Sequence, residues 1–340
     1  MTLIVAQKSE RQTGLKAGII GAGLMGRWHA EAIRKVGGNL IAIVDTDATA
    51  AQRLARRFPG AEIFSTVESL LQQPQLDVLH ICTPLPTHTG IAEAAIAVGT
   101  HLLVEKPLTS TAAETERLYQ LAAKRRLLLC PVHQFLFQDG VQKAEHLLSG
   151  IGNLVHLEAT ICSAGGRGVD PIELDSIIAD VLPHPLSLLQ LFLPSKLPIE
   201  WKTLRPRPGE FRALGQESTV TVAIFISMNA RPTSCSFQLK GTEGTIYIDL
   251  FHGYAYKQLG KVSKGRKILQ PFDASVRQLW AATANLTKRA IHRTVAYPGL
   301  EQLVHFFYQA VRTTSPPPIL PEDVLAIAHT RDWLLEKAAR

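Results

Sequence analysis

The sequence predicts an α/β protein in which an N-terminal domain with an open, doubly wound parallel sheet precedes an α+β domain with a large, mostly antiparallel sheet. The length of 340 residues suggests two domains. From residue 15 to about residue 134, short apolar runs alternate with amphipathic stretches, which is typical of parallel strands covered by helices on both faces. After residue 135, long strand-like runs with few helices between them indicate mainly antiparallel pairing.

The first domain is predicted at residues 15–134, after a polar, irregular tail at 1–14. The short apolar run in this tail has no charged segment before it and is too short for a secretory signal. The predicted strands lie at 15–20, 39–45, 61–64, 77–82, 101–104 and 127–132. The predicted helices lie at 24–36, 46–58, 67–73, 88–98 and 112–126. Right-handed crossovers would place these helices on both faces of the sheet.

The second domain is predicted at residues 135–340. Its strand-like runs lie at 154–163, 199–204, 219–228, 233–239 and 245–251. Its helical segments lie at 140–148, 177–192, 275–290, 300–311 and 321–339. Because helices occur mainly at its two ends and once between strands, we expect an α+β arrangement.

Composition limits the class of protein and of partner. Hydrophobic residues make up 46% of the chain, which favours packed cores over disorder. The net charge of +7 favours acidic partners such as a nucleotide or an anionic surface, but no recognised nucleic-acid module is present, so nucleic acid is not expected. No apolar run approaches about 18 residues, so no membrane span is expected. Four cysteines without a CxxC pair indicate a cytoplasmic protein, and no metal-ligand spacing occurs.

A glycine-rich turn, GAGLMG, occupies residues 21–26, between the first predicted strand and the first predicted helix. In this context Gly21 permits a tight turn, Gly23 lets the backbone approach a pyrophosphate, and Gly26 allows the helix to pack closely on the strand. Leu24 and Met25 begin the helix, where unpaired N–H groups and the helix dipole favour phosphate. The turn therefore predicts a Rossmann domain that binds a dinucleotide.

Asp45 ends the second predicted strand, about 20 residues after the glycine turn, where a carboxylate can accept hydrogen bonds from a ribose diol. The same carboxylate would repel a 2′-phosphate, and Thr46 follows it instead of an arginine. We therefore predict NAD as the cofactor. NADP is the alternative, since Arg53 lies one or two helical turns away.

Two loops follow the fourth and fifth predicted strands, at the sheet edge where ligands bind in open α/β sheets. The first contains Thr83, Pro84 and His88, and the second contains Glu105 and Lys106. In a partly dry cleft, the lysine can hydrogen-bond a reacting hydroxyl and offset developing negative charge. From the residues alone, a surface lysine in a turn before proline is an equal alternative.

Five segments resemble the Gfo/Idh/MocA family, named after glucose–fructose oxidoreductase, inositol dehydrogenase and a rhizopine-catabolism protein. The segments are GAGLMGRWHA at 21–30, VDTD at 44–47, CTPLPTH at 82–88, EKPL at 105–108 and DVLPHPLSLL at 180–189. The resemblance implies a dehydrogenase or reductase acting on a secondary alcohol or ketone of a sugar, cyclitol or related polyol. It implies catalytic roles for Lys106, Asp180 and His184, cofactor-side positions for His29 and His88, and a homo-oligomer, dimer or tetramer.

The spacing of Asp180 and His184 is compatible with those roles. Residues four apart lie on one helical face, and histidine is the usual general base near neutral pH. From the residues alone, a structural role is favoured, with His184 entering a helix between Pro183 and Pro185 and Asp180 as a cap. The resemblance shifts the preference towards catalysis.

The sequence departs from the family pattern on the substrate side. Leu182 stands where a glycine is usual, Ser187 stands where an aspartate is often found, and His133 replaces a more usual asparagine. His133 is predicted to face substrate, with a structural histidine as an equal alternative. Two other functions stay open: a glycoside hydrolase that uses tightly held NAD, and a non-catalytic dinucleotide-binding sensor or scaffold.

Residues 275–295 form a basic amphipathic pattern, with Val276, Trp280 and Ile291 on one side. A packed surface helix is the favoured interpretation. Peripheral contact with an anionic membrane is the weaker alternative.

Overall fold

The computed structural model describes residues 14–72, 76–163, 168–193, 196–197, 200–260, 266–291 and 297–338. Nearly all of the predicted tail at 1–14 lies outside these residues. The described chain forms two sheets with helices packed on them. None of the helices in this part of the chain has the length and apolar character that a membrane crossing requires.

The first sheet has six strands, which pair in parallel in the order β3-β2-β1-β4-β5-β6. The strands are β1 Lys16–Ile20, β2 Asn39–Val44, β3 Glu62–Phe64, β4 Val78–Ile81, β5 His101–Val104 and β6 Leu129–Pro131. The helices between them are α1 Leu24–Lys35, α2 Ala48–Ala55, α3 Val67–Leu71, α4 His88–Ala97 and α5 Ala112–Lys124. This order confirms the predicted doubly wound sheet. Because the strand order reverses between β1 and β4, a ligand crevice opens beyond their carboxyl ends.

Local sequence explains where these elements begin. The central strands are buried on both faces, as the fully buried Val78, Leu79 and Leu102 illustrate, so they consist of continuous apolar runs. Asp47 caps α2 through Thr49 N–H at 2.8 Å. The helix α5 starts with a complete capping box at Thr111. By contrast, α1 starts at Gly23 with no side-chain cap.

The second sheet has seven strands in the order β13-β12-β11-β7-β10-β9-β8. The strands are β7 Leu154–Cys162, β8 Glu200–Leu204, β9 Glu210–Glu217, β10 Val220–Ser227, β11 Ser234–Gly241, β12 Gly244–Asp249 and β13 Tyr254–Leu259. The helices of this region are α6 Asp139–Leu147, α7 Pro171–Val181, α8 Pro183–Phe192, α9 Arg266–Ile291, α10 Leu300–Thr313 and α11 Pro321–Ala338. Only the central pair β7 and β10 is parallel, which confirms a mostly antiparallel sheet.

Each sheet has its own hydrophobic core, but the end of the chain joins both. The inner face of the second sheet packs on α7 and α8. The helix α10 belongs instead to the first core, where Leu303, Phe307 and Tyr308 are fully buried. This packing differs from the sequence-based assignment of all residues after 134 to the second domain. The helix α11 spans the two cores, with Val324 in the first and Leu334 in the second.

Candidate functional site

The glycine turn lies between β1 and α1, and its three glycines differ in what surrounds them. Gly21 has a φ of +95°, and a Cβ there would lie 2.6 Å from the carbonyl oxygen of Cys82. A Cβ on Gly26 would lie 1.9 Å from the carbonyl oxygen of Gly21. These two glycines are therefore required by the protein's own packing. A Cβ on Gly23 would meet nothing within 4 Å, so the open space above Gly23 fits a ligand that lies against the backbone.

The N-terminus of α1 points its first amides into the same space. No side chain caps the helix, and Leu24 at its first position is 58% exposed. The N–H groups of the first turn, including those of Leu24 and Met25, have no acceptor within the helix. Uncapped amides and the helix dipole together favour an anion such as a pyrophosphate.

Asp45 follows β2 and faces the glycine turn. Its carboxylate accepts hydrogen bonds from Ala22 N–H at 2.6 Å and from Asp47 N–H at 2.8 Å, one on each oxygen. Each carboxylate oxygen has a second lone pair, so the group can still accept from a ribose diol. Arg53, the residue for which NADP remained an alternative cofactor, is exposed, and its guanidinium lies 3.9 Å from the carboxylate of Asp47. The site thus fits a dinucleotide with its adenosine ribose at Asp45.

His88 connects the two loops that follow β4 and β5. Its ring is buried, with Nε2 2.8 Å from the carbonyl oxygen of Thr83 and Nδ1 3.0 Å from that of Pro107. Whichever tautomer is present, the ring N–H donates to one of these loops. His88 is therefore buried behind the surface that faces the predicted cofactor, and it positions both loops. Thr83 and Pro84 lie at that surface. A direct cofactor contact by any of these residues stays a prediction.

A buried chain of hydrogen bonds leads away from Glu105. His29 Nε2 lies 3.0 Å from Glu105 Oε1, His29 Nδ1 lies 2.7 Å from His80 Nδ1, and His80 Nε2 lies 2.9 Å from the Tyr308 hydroxyl. One set of protons satisfies every contact: Tyr308 donates to His80, His80 donates to His29, and His29 donates to ionised Glu105. The second Glu105 oxygen accepts Lys106 N–H at 3.2 Å.

The pKa shifts of His80 and Glu105 agree with that assignment. Burial is the largest cause that lowers the pKa of His80 well below its usual value, so His80 is neutral. Burial alone would raise the pKa of Glu105, but the hydrogen bond from His29 and the neighbouring Lys106 outweigh it and lower the pKa. Glu105 is therefore an ionised, buried carboxylate directly before the lysine.

Lys106 reaches across to the second sheet's helices. Its Nζ donates to the backbone carbonyl of Asp180 at 3.0 Å. The helix is interrupted between α7 and α8, where Pro183 and Pro185 lie, and the Asp180 carbonyl belongs to the last turn before this interruption. Burial lowers the pKa of Lys106, although the charges of Glu105 and Asp180 oppose the shift. The ammonium is therefore enclosed and held by a helix end.

The expectation that Asp180 and His184 share one face of a single helix is wrong. Asp180 lies in the last turn of α7 and His184 in the first turn of α8, because the two prolines interrupt the helix at Leu182. Asp180 contacts Lys106 through its backbone rather than its carboxylate. Burial raises the pKa of that carboxyl group, against the lowering influence of Lys106 and other nearby cations.

His184 stacks on Phe135, with ring centroids 4.3 Å apart and an angle of 21° between the planes. Its Nδ1 is buried and makes no hydrogen bond to the described residues. Burial lowers the pKa of His184 well below its usual value, and the charges of Lys106 and His133 lower it further. The imidazole is therefore neutral near pH 7 and can accept a proton.

His133 lies behind Lys106. It is only 3% exposed and lines a cavity of about 20 Å³ together with Pro107, Pro183 and Arg331. Its Nδ1 also makes no hydrogen bond to the described residues. Burial and the nearby ammonium of Lys106 lower the pKa of His133 to about 4. A direct substrate contact by His133 stays a prediction.

Sequence reasoning missed four side chains of this region: His80, Phe135, Tyr308 and Arg331. Arg331, on α11, is buried and donates to the carbonyls of Thr109 at 3.0 Å and Ser110 at 2.6 Å, which fixes the chain just after the lysine loop. The sequence contained one usable indication, a histidine at position 80 inside an otherwise apolar strand. The other three contact residues that are distant in the sequence, and no local motif marks them.

Together, the strand order, the glycine turn, the uncapped helix and Asp45 define a dinucleotide-binding Rossmann domain. Residues 15–133 match the sequence model of the Gfo/Idh/MocA family, which is described as an oxidoreductase family with an NAD-binding Rossmann fold. Over these residues the chain is similar to the NAD-binding Rossmann domain of that family.

Relatives with named activities match part of the chain. UDP-N-acetylglucosamine 3-dehydrogenase from Acidithiobacillus ferrooxidans is 31% identical over 178 residues, which cover 52% of this chain and 54% of the relative. dTDP-3,4-didehydro-2,6-dideoxy-alpha-D-glucose 3-reductase from Streptomyces violaceoruber is 28% identical over 221 residues, which cover 61% of this chain and 64% of the relative. The aligned parts thus span between about half and two thirds of these relatives.

Structural similarity covers almost the whole chain. The WlbA dehydrogenase from Bordetella pertussis, solved in complex with NADH and UDP-GlcNAcA, superposes with a TM-score of 0.75 over 96% of each chain at 17% identity. The likeness at this identity shows that both domains share that fold.

Proposed function

We propose that this protein is an NAD(P)-dependent oxidoreductase that interconverts a secondary alcohol and its ketone on a sugar-like substrate, with NAD preferred over NADP. The observation that carries the proposal is the position of Lys106. Its ammonium is enclosed beyond the carboxyl end of β5 and held at 3.0 Å by the end of α7, next to the loops of the dinucleotide site. An enclosed lysine with a lowered pKa in such a cleft is a candidate catalytic group.

Lys106 supplies the charge stabilisation. The substrate oxygen would replace or join the Asp180 carbonyl as an acceptor of Nζ, and the ammonium would offset negative charge that develops on that oxygen. The buried carboxylate of Glu105 keeps the ammonium charged despite its burial. His88 and Arg331 hold the lysine loop from both sides, so the group stays in position.

His184 handles the proton. When bound beside Lys106, NAD(P) would supply the hydride acceptor. During oxidation the alcohol carbon would lose its hydrogen as hydride, and the O–H bond would give its proton to neutral His184 as the C=O bond forms. Reduction reverses these movements. Stacking on Phe135 fixes the plane of the imidazole. Asp180 contributes through its backbone carbonyl, which accepts from Lys106 and so positions the ammonium.

Nucleotide-linked sugars are the first substrate class to test. Two relatives are named for oxidation or reduction at the 3-position of such sugars, and a structural neighbour was solved with one. The net charge of +7 suits a substrate that carries a diphosphate. Cyclitols form the second class, because another relative is named inositol 2-dehydrogenase.

The test measures NADH formation by absorbance with a panel of UDP-N-acetylglucosamine, other nucleotide sugars and myo-inositol. Lys106→Met should lower kcat by roughly 10²–10³ while leaving NADH affinity nearly unchanged, since the interaction is strongest in the transition state. Lys124→Met, which changes an exposed lysine at the end of α5, is the matched control.

Other outcomes discriminate the alternatives. Substrate cleavage without net NADH, by protein that retains its cofactor through purification, would identify a glycoside hydrolase instead. NADH binding without turnover of any substrate, and unchanged cellular function in Lys106→Met, would identify a sensor or scaffold.

We also propose that the protein is a cytoplasmic homo-oligomer. The outer face of the second sheet supports this, since it carries the exposed Leu214, a stacked pair of Tyr247 and Tyr256, and Phe225 beneath Arg212. Light scattering after size exclusion tests the proposal: Leu214→Arg should convert a dimer or tetramer into monomer, whereas wild-type protein that elutes as a monomer would refute it.

A further inference from the structure

The helix α9 carries a row of large apolar side chains that face solvent. It spans 26 residues, Arg266–Ile291, and is the longest helix in the described part of the chain. Eight of its apolar side chains are between 56% and 77% exposed. We name them the α9 stripe: Ile268, Leu269, Phe272, Val276, Leu279, Trp280, Leu286 and Ile291. Monomeric proteins rarely expose an apolar patch of this size without a function.

The stripe is not the packing face of the helix. The side of α9 that meets the body carries small or polar residues, with Ala274 and Ala281 half-buried and Asn285 donating to the His252 carbonyl at 3.0 Å. This side lies along β13, the edge strand of the second sheet. Phe272 and Leu279 lie on the opposite face, and Val276 and Trp280 lie at its flank, where they line a groove beside the body. The helix α9 therefore packs on the body through small and polar side chains, and its large apolar side chains are exposed to solvent.

The charge of α9 indicates what covers the stripe. The helix contains five basic residues, Arg266, Lys267, Arg277, Lys288 and Arg289, and one acidic residue, Asp273. Asp273 pairs with Arg277 and Lys288 pairs with Asp139, each at 2.7 Å, and Arg289 donates to the His252 carbonyl at 3.1 Å. Five basic residues against one acidic residue still leave the helix with a net positive charge. Lys143 and Lys257 lie beside the helix, in the groove that Trp280 also lines. Pairing two copies of α9 would bring these like charges together, whereas an anionic lipid surface complements them.

We propose that α9 binds the surface of an anionic membrane. The α9 stripe enters the boundary between headgroups and acyl chains, with the helix axis parallel to the membrane plane, and the net positive charge of the helix and of the neighbouring Lys143 and Lys257 attracts the lipid phosphates. Trp280 lies at the interface, where an indole places its ring in the apolar layer and its N–H near water. The binding is peripheral and holds the protein on the membrane while both sheets stay outside it.

The experiment sediments full-length protein with vesicles of phosphatidylcholine alone or with 30 mol% phosphatidylglycerol. The wild type should bind the anionic vesicles at least roughly tenfold more strongly, and salt near 1 M should remove most of this preference because it shortens the Debye length to about 3 Å. The double variant Phe272→Ser/Trp280→Ser should lower the partition coefficient by roughly tenfold or more.

Ile63→Ser is the control, because it removes an exposed apolar side chain from β3 in the other domain and should leave vesicle binding unchanged. NADH titration of each variant verifies that the fold is intact. Equal binding to both vesicle types would overturn the electrostatic part of the proposal. No binding to either vesicle type would overturn the proposal entirely. A smaller oligomer for the double variant in light scattering would then assign the α9 stripe to contacts between copies.

Discussion

Replacing Gly23 with alanine should strongly weaken dinucleotide binding and leave the fold intact, whereas the same substitution at Gly26 should damage the fold. The two positions are three residues apart in one turn, and each gains a single methyl group. They differ only in what that group would meet. The pair therefore separates a glycine needed for the ligand from a glycine needed for the protein.

The structure sets the size of each effect. At Gly26 the new Cβ would lie 1.9 Å from the Gly21 carbonyl oxygen, so helix and turn must separate by more than 1 Å. Overpacking of this kind costs about 3 kcal/mol, which corresponds to a fall in Tm of about 6–12 °C. At Gly23 nothing lies within 4 Å and φ is −68°, so alanine costs less than about 1 kcal/mol through weaker helix capping.

The assay pairs thermal unfolding with NADH titration by nicotinamide fluorescence. Gly23→Ala should melt within a few degrees of the wild type and bind NADH at least roughly a hundredfold more weakly, the equivalent of about 3 kcal/mol. Gly26→Ala should have a Tm clearly below that of the wild type. Normal NADH affinity in Gly23→Ala would refute the position assigned to the pyrophosphate, since the cofactor could not then approach the backbone at that residue.

Three further predictions follow from the same geometry. Asp45→Asn should weaken NADH binding about ten- to a hundredfold, because it removes a charged acceptor, and should weaken NADPH binding less. Equal losses for the two cofactors in paired titrations would contradict the placement of the adenosine ribose at Asp45. Tyr308→Phe should lower the free energy of unfolding by about 1–3 kcal/mol, because it leaves buried His80 Nε2 without its donor. Additive effects in a double-mutant cycle with His80→Leu would contradict the His80–Tyr308 hydrogen bond. Because His133 has a pKa of about 4 when folded and about 6.5 when unfolded, stability should fall by about 3 kcal/mol as pH drops through that window, and urea unfolding of His133→Asn should lack this component.

Local sequence was sufficient for the Rossmann domain because each part of that site is encoded within a few residues. The glycine turn, the helix start and Asp45 belong to one βαβ unit, and parallel strands place their carboxyl ends together. The strands β9 and β13 were missed for the opposite reason. Glu210–Glu217 and Tyr254–Leu259 contain many polar residues, because they lie near sheet edges where one face is open.

The buried chain behind Glu105 could not be predicted, since its members come from distant parts of the sequence. His80 and Tyr308 are separated by 228 positions, and each resembles an ordinary core residue in its own segment. They meet because α10 leaves the second domain and packs on the first core. Knowing that a helix is amphipathic does not reveal which of two cores it will join.

The environment of Lys106 shows how the two domains cooperate at the site. The lysine belongs to the Rossmann domain, but its Nζ is held by Asp180 at the end of α7, and its loop is held by Arg331 from α11. Pro183 and Pro185 have no N–H and interrupt the helix shortly after Asp180. The Asp180 carbonyl, in the last turn before this interruption, accepts from the ammonium. The segment whose prolines first suggested a merely structural role is therefore also the segment that contacts the lysine.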